Sequence, residues 1–155
     1  MDKRQILKTV QEALAEDVRR QLAAQQTAAD GATHAEARAE TKWDTCGLEQ
    51  SYLARGHAMQ FEALAKQAEE LRAFVPPDFS GKPIAAGALV ETEMGGDIAL
   101  FFLLHCGGGT EIQVDGREIT VITPESPVGA ALTGKRQGDR YSFRAGAEGK
   151  ILLVE

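Results

Sequence analysis

Cysteine is scarce in this chain of 155 residues, with two in all, Cys46 and Cys106, and no CxxC between them. That excludes a disulfide-stapled scaffold, and the spacings of Cys46 with His34 and His57 match no zinc pattern. Basic charge is also short. Ten Lys and Arg against twelve Asp and Glu leave −2 over residues 1–77, and seven against eleven leave −4 over residues 78–155. A protein that grips DNA or RNA by its phosphates needs a net basic face, because counterion release supplies most non-specific affinity, so direct nucleic-acid binding is not expected. Long apolar runs are missing too. None approaches the roughly 20 residues of a membrane span, and Met1-Asp-Lys-Arg-Gln-Ile-Leu-Lys lacks the apolar core of a signal peptide. These absences predict a cytoplasmic protein with no membrane contact and a protein partner, and a monomer is favoured.

What is present divides in two. Ala dominates the first seventy residues, whereas Val, Ile, Leu and Phe cluster after Pro77, so a thin helical seam precedes a fuller core. Ile6, Val10, Leu14, Val18 and Leu22 recur every fourth residue, which is helical periodicity. The Ala, Gln, Glu and Arg of 23–42 carry that helix on, although Gly31 costs about 1 kcal/mol against Ala. Gly47 reads as the turn, with Asp44 or Thr45 as cap of the second helix. Tyr52, Leu53, Phe61, Leu64, Ala68, Leu71 and Phe74 then fall mostly three or four apart, up to Pro76-Pro77, which cannot continue a helix. Two helices joined by a short turn predict an antiparallel hairpin over 1–75 with its tip near 43–49, followed by a linker at 76–80.

Residues 81–155 change to short β-rich runs: 85–93, 98–104, 110–114, 118–123, 139–143 and 150–154. Gly95-Gly-Asp97 and Asp115-Gly116 are hairpin signals, since such turns need positive φ. One brief helix is predicted with Ser126 as N-cap, Pro127 at its first position and its end by Gly134. Gly107-Gly-Gly109 lacks the Gly-Lys-Ser or Thr of a phosphate loop and reads as a strand connection. His105 and Cys106 have no orienting acid at a telling spacing and are assigned no catalytic role. The expected fold class is α+β, a helical hairpin followed by a small antiparallel β domain with one short helix.

The run from Thr123 to Asp139, with Ser126-Pro127, Leu132-Thr-Gly-Lys135 and Gly138-Asp139, resembles the signature of the C-terminal domain of Gre-type transcription elongation factors. The likeness covers nearly the whole chain in order and size. It implies that the hairpin is a coiled coil, that residues 81–155 form an FKBP-like domain, and that RNA polymerase is the partner. By that resemblance Ser126 and Pro127 lie on the polymerase-docking surface, and the tip enters the secondary channel. Lys135, Arg136 and Arg140 form a local basic group that suits an acidic partner helix or a solvated loop.

In cleaving members of the family, two acids three apart, in a pattern of the form Asp-Leu-x-Glu-Asn-Ala-Glu-Tyr, help hold a second Mg²⁺ at the polymerase centre. Carboxylates suit hard cations, and a second metal activates water and stabilises both oxygens of an in-line displacement. Here the stretch is Asp44-Thr-Cys-Gly-Leu-Glu-Gln-Ser-Tyr52, so Asp44 matches the first acid, Gly47 stands at the second, and Glu49 follows two residues later. Glu40 and Asp44, four apart on one helical face, are another acidic pair. Trp43 and Leu48, apolar beside an exposed turn, are candidate partner contacts as well as seam caps. The resemblance implies no cofactor of the chain's own, Mg²⁺ only at the polymerase centre if cleavage occurs, and nucleic acid met only through the polymerase complex. Two roles stay open, assistance of transcript cleavage and modulation without cleavage. A third, a prolyl isomerase or chaperone, follows from the FKBP-like implication alone. It is disfavoured by the few aromatics after Pro77, namely Phe79, Phe101, Phe102, Tyr141 and Phe143.

Overall fold

The computed structural model describes residues 1–33 and 46–155. Its elements are α1 (Lys3–Thr33), α2 (Cys46–Arg72), β1 (Leu89–Met94), β2 (Asp97–Leu103), β3 (Glu111–Val114), β4 (Arg117–Ile122), α3 (Pro127–Leu132), β5 (Arg140–Arg144) and β6 (Ala147–Val154). Contacts divide the chain into two compact units, one made of Met1–Ala13 with Ala73–Glu155 and the other of Leu14–Arg72. The division falls inside α1.

In the unit Leu14–Arg72, Leu14 and Leu71 are buried. The polar surface carries short-range ion pairs, Arg19 with Glu16 at 2.7 Å and Arg72 with Glu69 at 3.0 Å, together with Arg20 and Asp17. Pairs so exposed contribute a few tenths of a kcal/mol each. Gly47, read from the sequence as the turn, is helical here, at the second position of α2. Glycine is tolerated there because the first residues of a helix carry few of its internal hydrogen bonds.

In the other unit, α1 starts behind Asp2, whose Oδ1 accepts from Arg4 N at 2.9 Å. Ile6, Leu7 and Val10 are buried, so the apolar stripe of these first turns is spent inside the unit that holds the sheet. Lys3 ties the helix start down. Its ammonium donates to Pro77 O and, at 3.4 Å, to Gly87 O, and it lies 5.3 Å from the centroid of the Phe79 ring. Burial lowers the Lys3 pKa from its ordinary value, and Asp78 and Glu155 oppose that shift. Asp78 in turn is held below the usual carboxylate range by Ser80, whose N–H and hydroxyl donate to its Oδ1 at 3.0 and 2.8 Å.

The six strands lie in the order β3-β4-β2-β1-β6-β5. They fall on the runs that alternation marked, and the two expected hairpin turns are present. Gly95 and Gly96 (φ 66° and 95°) join β1 to β2, while Asp115 and Gly116 (φ 52° and 74°) join β3 to β4. The expectation of an antiparallel sheet is corrected at one seam, since β2 and β4 run parallel, Phe102 opposite Val121. The chain leaves β2, lays β3 at the outer edge, and returns β4 into the slot between them. A strand that pairs antiparallel with β3 is then parallel to β2.

Alternation gives the sheet two faces. Val90, Leu103, Ile122 and Ile151 share one core cluster with Leu132 of α3 and Tyr141 of β5. The alternate positions Leu89, Leu100, Phe102, Ile119 and Val121 are buried on the opposite face.

Candidate functional site

The stretch that carries the sequence motif begins where β4 ends. Thr123 O is its fixed point, accepting from Ser126 N at 3.0 Å and from Ser126 Oγ at 2.7 Å. Ser126 is extended (φ −70°, ψ 151°), and its Oγ accepts from Gly129 N at 3.1 Å, so it caps α3 as its residue type predicts. Pro127 follows at the first helical position, where a missing N–H costs nothing and a fixed φ helps. Both bonds of the Ser126 hydroxyl are therefore internal, whereas Pro127 is exposed. Ser126→Ala is expected to destabilise the unit by about 1 kcal/mol, read as a lower urea midpoint at an unchanged slope. An unchanged midpoint would deny the cap its role.

The other half of the motif is a set of backbone latches. Gly134 N donates to Ile84 O and Ile84 N to Lys135 O, both at 2.8 Å. Arg136 N donates to Asp139 Oδ2 at 2.8 Å, and the Arg136 guanidinium reaches Gly81 O at 2.5 Å. Gly138 N and Ile151 N then pair this turn to β6 at 2.8 and 2.9 Å. Gly-Lys-Arg-Gln-Gly-Asp thus folds the chain from α3 back into the sheet. The local basic group is partly spent in doing so, since Arg140 also pairs with Glu148 at 2.9 Å. Lys135 is half-buried and Arg136 exposed. The structure sets the candidates at two ends of α3, Ser126 and Pro127 before it and Lys135 and Arg136 after it. A six-residue helix separates them by about 9 Å at roughly 1.5 Å per residue.

Beside Pro127 lies an open groove that sequence reasoning did not find, lined by Gly108, Gly109, Thr123, Val128 and Phe143, and mostly apolar. Gly107-Gly-Gly109 is the strand connection expected of it, with Gly109 N donating to Val121 O at 2.8 Å. It also floors this groove, because a side chain at Gly108 would meet Thr123 Cγ2 at 3.0 Å. Phe143 is half-buried, its ring centroid 6.4 Å from that of Tyr141 and the Arg144 guanidinium 5.7 Å from its own. No signal in the sequence brings Gly108, Thr123 and Phe143 together, since they come from three separate segments.

Of the tip candidates, Glu40, Trp43 and Asp44 lie outside the described residues. Leu48 and Glu49 fall in the first turn of α2. Among the described residues no three His, Cys, Asp or Glu side chains gather to hold a metal, and no helix is long and apolar enough to cross a membrane.

No protein-family model matches this chain, and no curated protein does. Solved structures similar to it include GreA factor homolog 1 (Gfh1) of Thermus thermophilus, at 23% identity over 96% of each chain with a TM-score of 0.39. A second, of the transcription factor Gfh1, stands at 23% identity over 95% of this chain and 94% of that one, and Gfh1 of Thermus aquaticus at 22% over the same shares, each with a TM-score of 0.39. Scores of this size decide neither fold nor activity, so the functional reading is built on the chain's own residues.

Proposed function

We propose that the chain is a divergent Gre-type transcription factor, with an N-terminal coiled-coil hairpin over 1–75, a linker at 76–80 and an FKBP-like domain over 81–155. It docks on bacterial RNA polymerase through the surface at Pro127 and presents Trp43 to Glu49 to the secondary channel. The observation that supports this reading is how the motif is displayed. Pro127 stands exposed at the start of α3 beside an apolar groove, and the Ser126 hydroxyl, bonded to Thr123 O and Gly129 N, holds it there. Ser126 acts by fixing Pro127 and not by reaching the partner itself, and Lys135 and Arg136 flank the contact. An exposed, preorganised proline beside an apolar groove makes a contact surface at little entropic cost.

Asp44, with Glu49 or Glu40, would supply carboxylates toward a second Mg²⁺ at the polymerase centre, where the polymerase provides the remaining ligands and the chemistry. A second reading is favoured by one residue. Gly47 occupies the place of the second acid and lies within helix α2. On that reading the same docking modulates transcription without cleavage, by competing with other channel-binding factors or obstructing substrate entry.

A backtracked elongation complex tests both. The protein is expected to be retained on purified polymerase, and Pro127→Glu to be released from it while keeping its fold. Shortening of the RNA from its 3′ end that falls to the polymerase's own rate with Asp44→Ala identifies assisted cleavage. Retention without shortening identifies the modulator. Absence of both removes the polymerase reading and returns the isomerase to consideration.

A further inference from the structure

Helix α2 carries two apolar faces. Phe61, Leu64 and Leu71 are half-buried or buried on one. Roughly opposite, at 3.6 residues per turn, Tyr52, Gly56, Met59 and Ala63 succeed each other at spacings of four, three and four and are all exposed. The exposure is large for such residues, 72% for Tyr52 and 64% for Met59. Gly56 weakens a helix interior relative to alanine, so its position calls for a reason. Among the described residues nothing lies within 4 Å of where its Cβ would stand, which leaves the backbone open to a close neighbour.

We propose that this face binds a second copy of the chain, α2 against α2 in antiparallel orientation. The occupant is set by charge. Arg55 and Glu62 are both exposed, and both lie on the same flank of the stripe. In an antiparallel helix pair like flanks meet, so a two-fold axis midway between residues 58 and 59 sets Arg55 of each copy opposite Glu62 of the other. On that axis position 59 of one copy lies opposite position 58 of the other, so the two Met59 side chains meet across it, and the missing side chain of Gly56, less than one helical turn away, leaves them room. A two-fold interface must be self-complementary in this way, with residue i meeting j and j meeting i. A partner of different sequence would need this charge order by coincidence. The patch spans three to four helical turns, less than a standard interface, so the dimer is weak and its population varies with concentration. This inference is independent of the transcription reading.

Sedimentation velocity and equilibrium on the full chain, from about 10 µM to 1 mM, a range matched to weak association, test it. A dimer that grows with concentration is expected. Met59→Glu should leave a monomer with unchanged circular dichroism. Arg55→Glu alone, or Glu62→Arg alone, turns two attractive pairs into two repulsive ones and should weaken the dimer about tenfold. Combining Arg55→Glu with Glu62→Arg should restore the original affinity. A chain still monomeric at the highest concentration overturns the proposal. So does a dimer indifferent to Met59→Glu, or a charge-swapped pair no tighter than its single variants, since association would then use another face.

Discussion

Gly129→Ala is expected to be the most damaging small substitution in the chain. A Cβ at this position would stand 1.9 Å from Thr123 O, 2.8 Å from Thr123 C and 2.9 Å from Ser126 Oγ. The nearest obstacles are backbone atoms, so no rotamer change relieves them. The same carbonyl accepts both the Ser126 N–H and its hydroxyl. Moving it away therefore pulls the cap apart and shifts α3, which carries buried Leu132 in the core cluster. The cost is about 3 kcal/mol or more, at the upper end of overpacking effects. At roughly 4–8 °C per kcal/mol for a unit of this size, the melting temperature should fall by about 12 °C or more. Thermal unfolding monitored by near-ultraviolet circular dichroism would show it. A fall of only two or three degrees, of the order of an ordinary surface change, would mean that the turn yields cheaply and that the proximity is not a constraint.

Gly149→Ala is the second. Gly149 lies in β6 directly across from Tyr141 of β5. Its absent side chain makes room for the tyrosine ring, since a Cβ would meet Cε1 at 2.4 Å, Cζ at 2.8 Å and Glu93 O at 3.0 Å. The ring is not at liberty to move. Tyr141 is 4% exposed, and its hydroxyl donates at 3.0 Å to Oγ1 of Thr92, itself 1% exposed. Displacing it combines overpacking with a broken buried hydrogen bond, together about 2–4 kcal/mol. Tyr141→Leu provides the control, because it removes the obstacle. In that background the further cost of Gly149→Ala should shrink, giving a coupling of about 1–2 kcal/mol in a double-mutant cycle by urea denaturation. Costs that simply add would show that the ring is not what the glycine accommodates.

Both glycines illustrate what a sequence conveys and what it withholds. Alternation and turn chemistry are local, and they located the strands, the Gly95-Gly96 and Asp115-Gly116 turns, and the Ser126-Pro127 start of α3. That Gly149 sits against Tyr141 of β5 and Glu93 of β1 is a tertiary fact that nothing in its neighbours encodes, and Gly129 meets Thr123 and Ser126 of its own turn at a closeness that residue types alone do not give. The parallel β2–β4 seam is of the same kind, because hydrophobic period fixes which residues share a face and is silent on which strand comes to lie beside which. Periodicity likewise identified the stripe Ile6, Val10 and Leu14 as buried without revealing that Met1–Ala13 belongs to the compact unit of the sheet. Gly47 misled for a different reason, since its freedom at positive φ is a permission and not a requirement, and α2 accommodates it. At the site, residue types predicted the Ser126 cap. The groove beside Pro127 needed Gly108, Thr123 and Phe143 from three separate segments and was not legible.

The order β3-β4-β2-β1-β6-β5 gives the last strand an inner place, paired on one side with β1 and on the other with β5. During synthesis this imposes a schedule. Until residues 147–150 have left the ribosome β5 has no strand to pair with, and until Val154 follows β1 has an open edge. The turns of α1 that hold buried Ile6, Leu7 and Val10 are made well before the rest of their compact unit, Ala73–Glu155. At about 5–20 residues per second, that interval lasts on the order of ten seconds, during which those side chains are available to a chaperone.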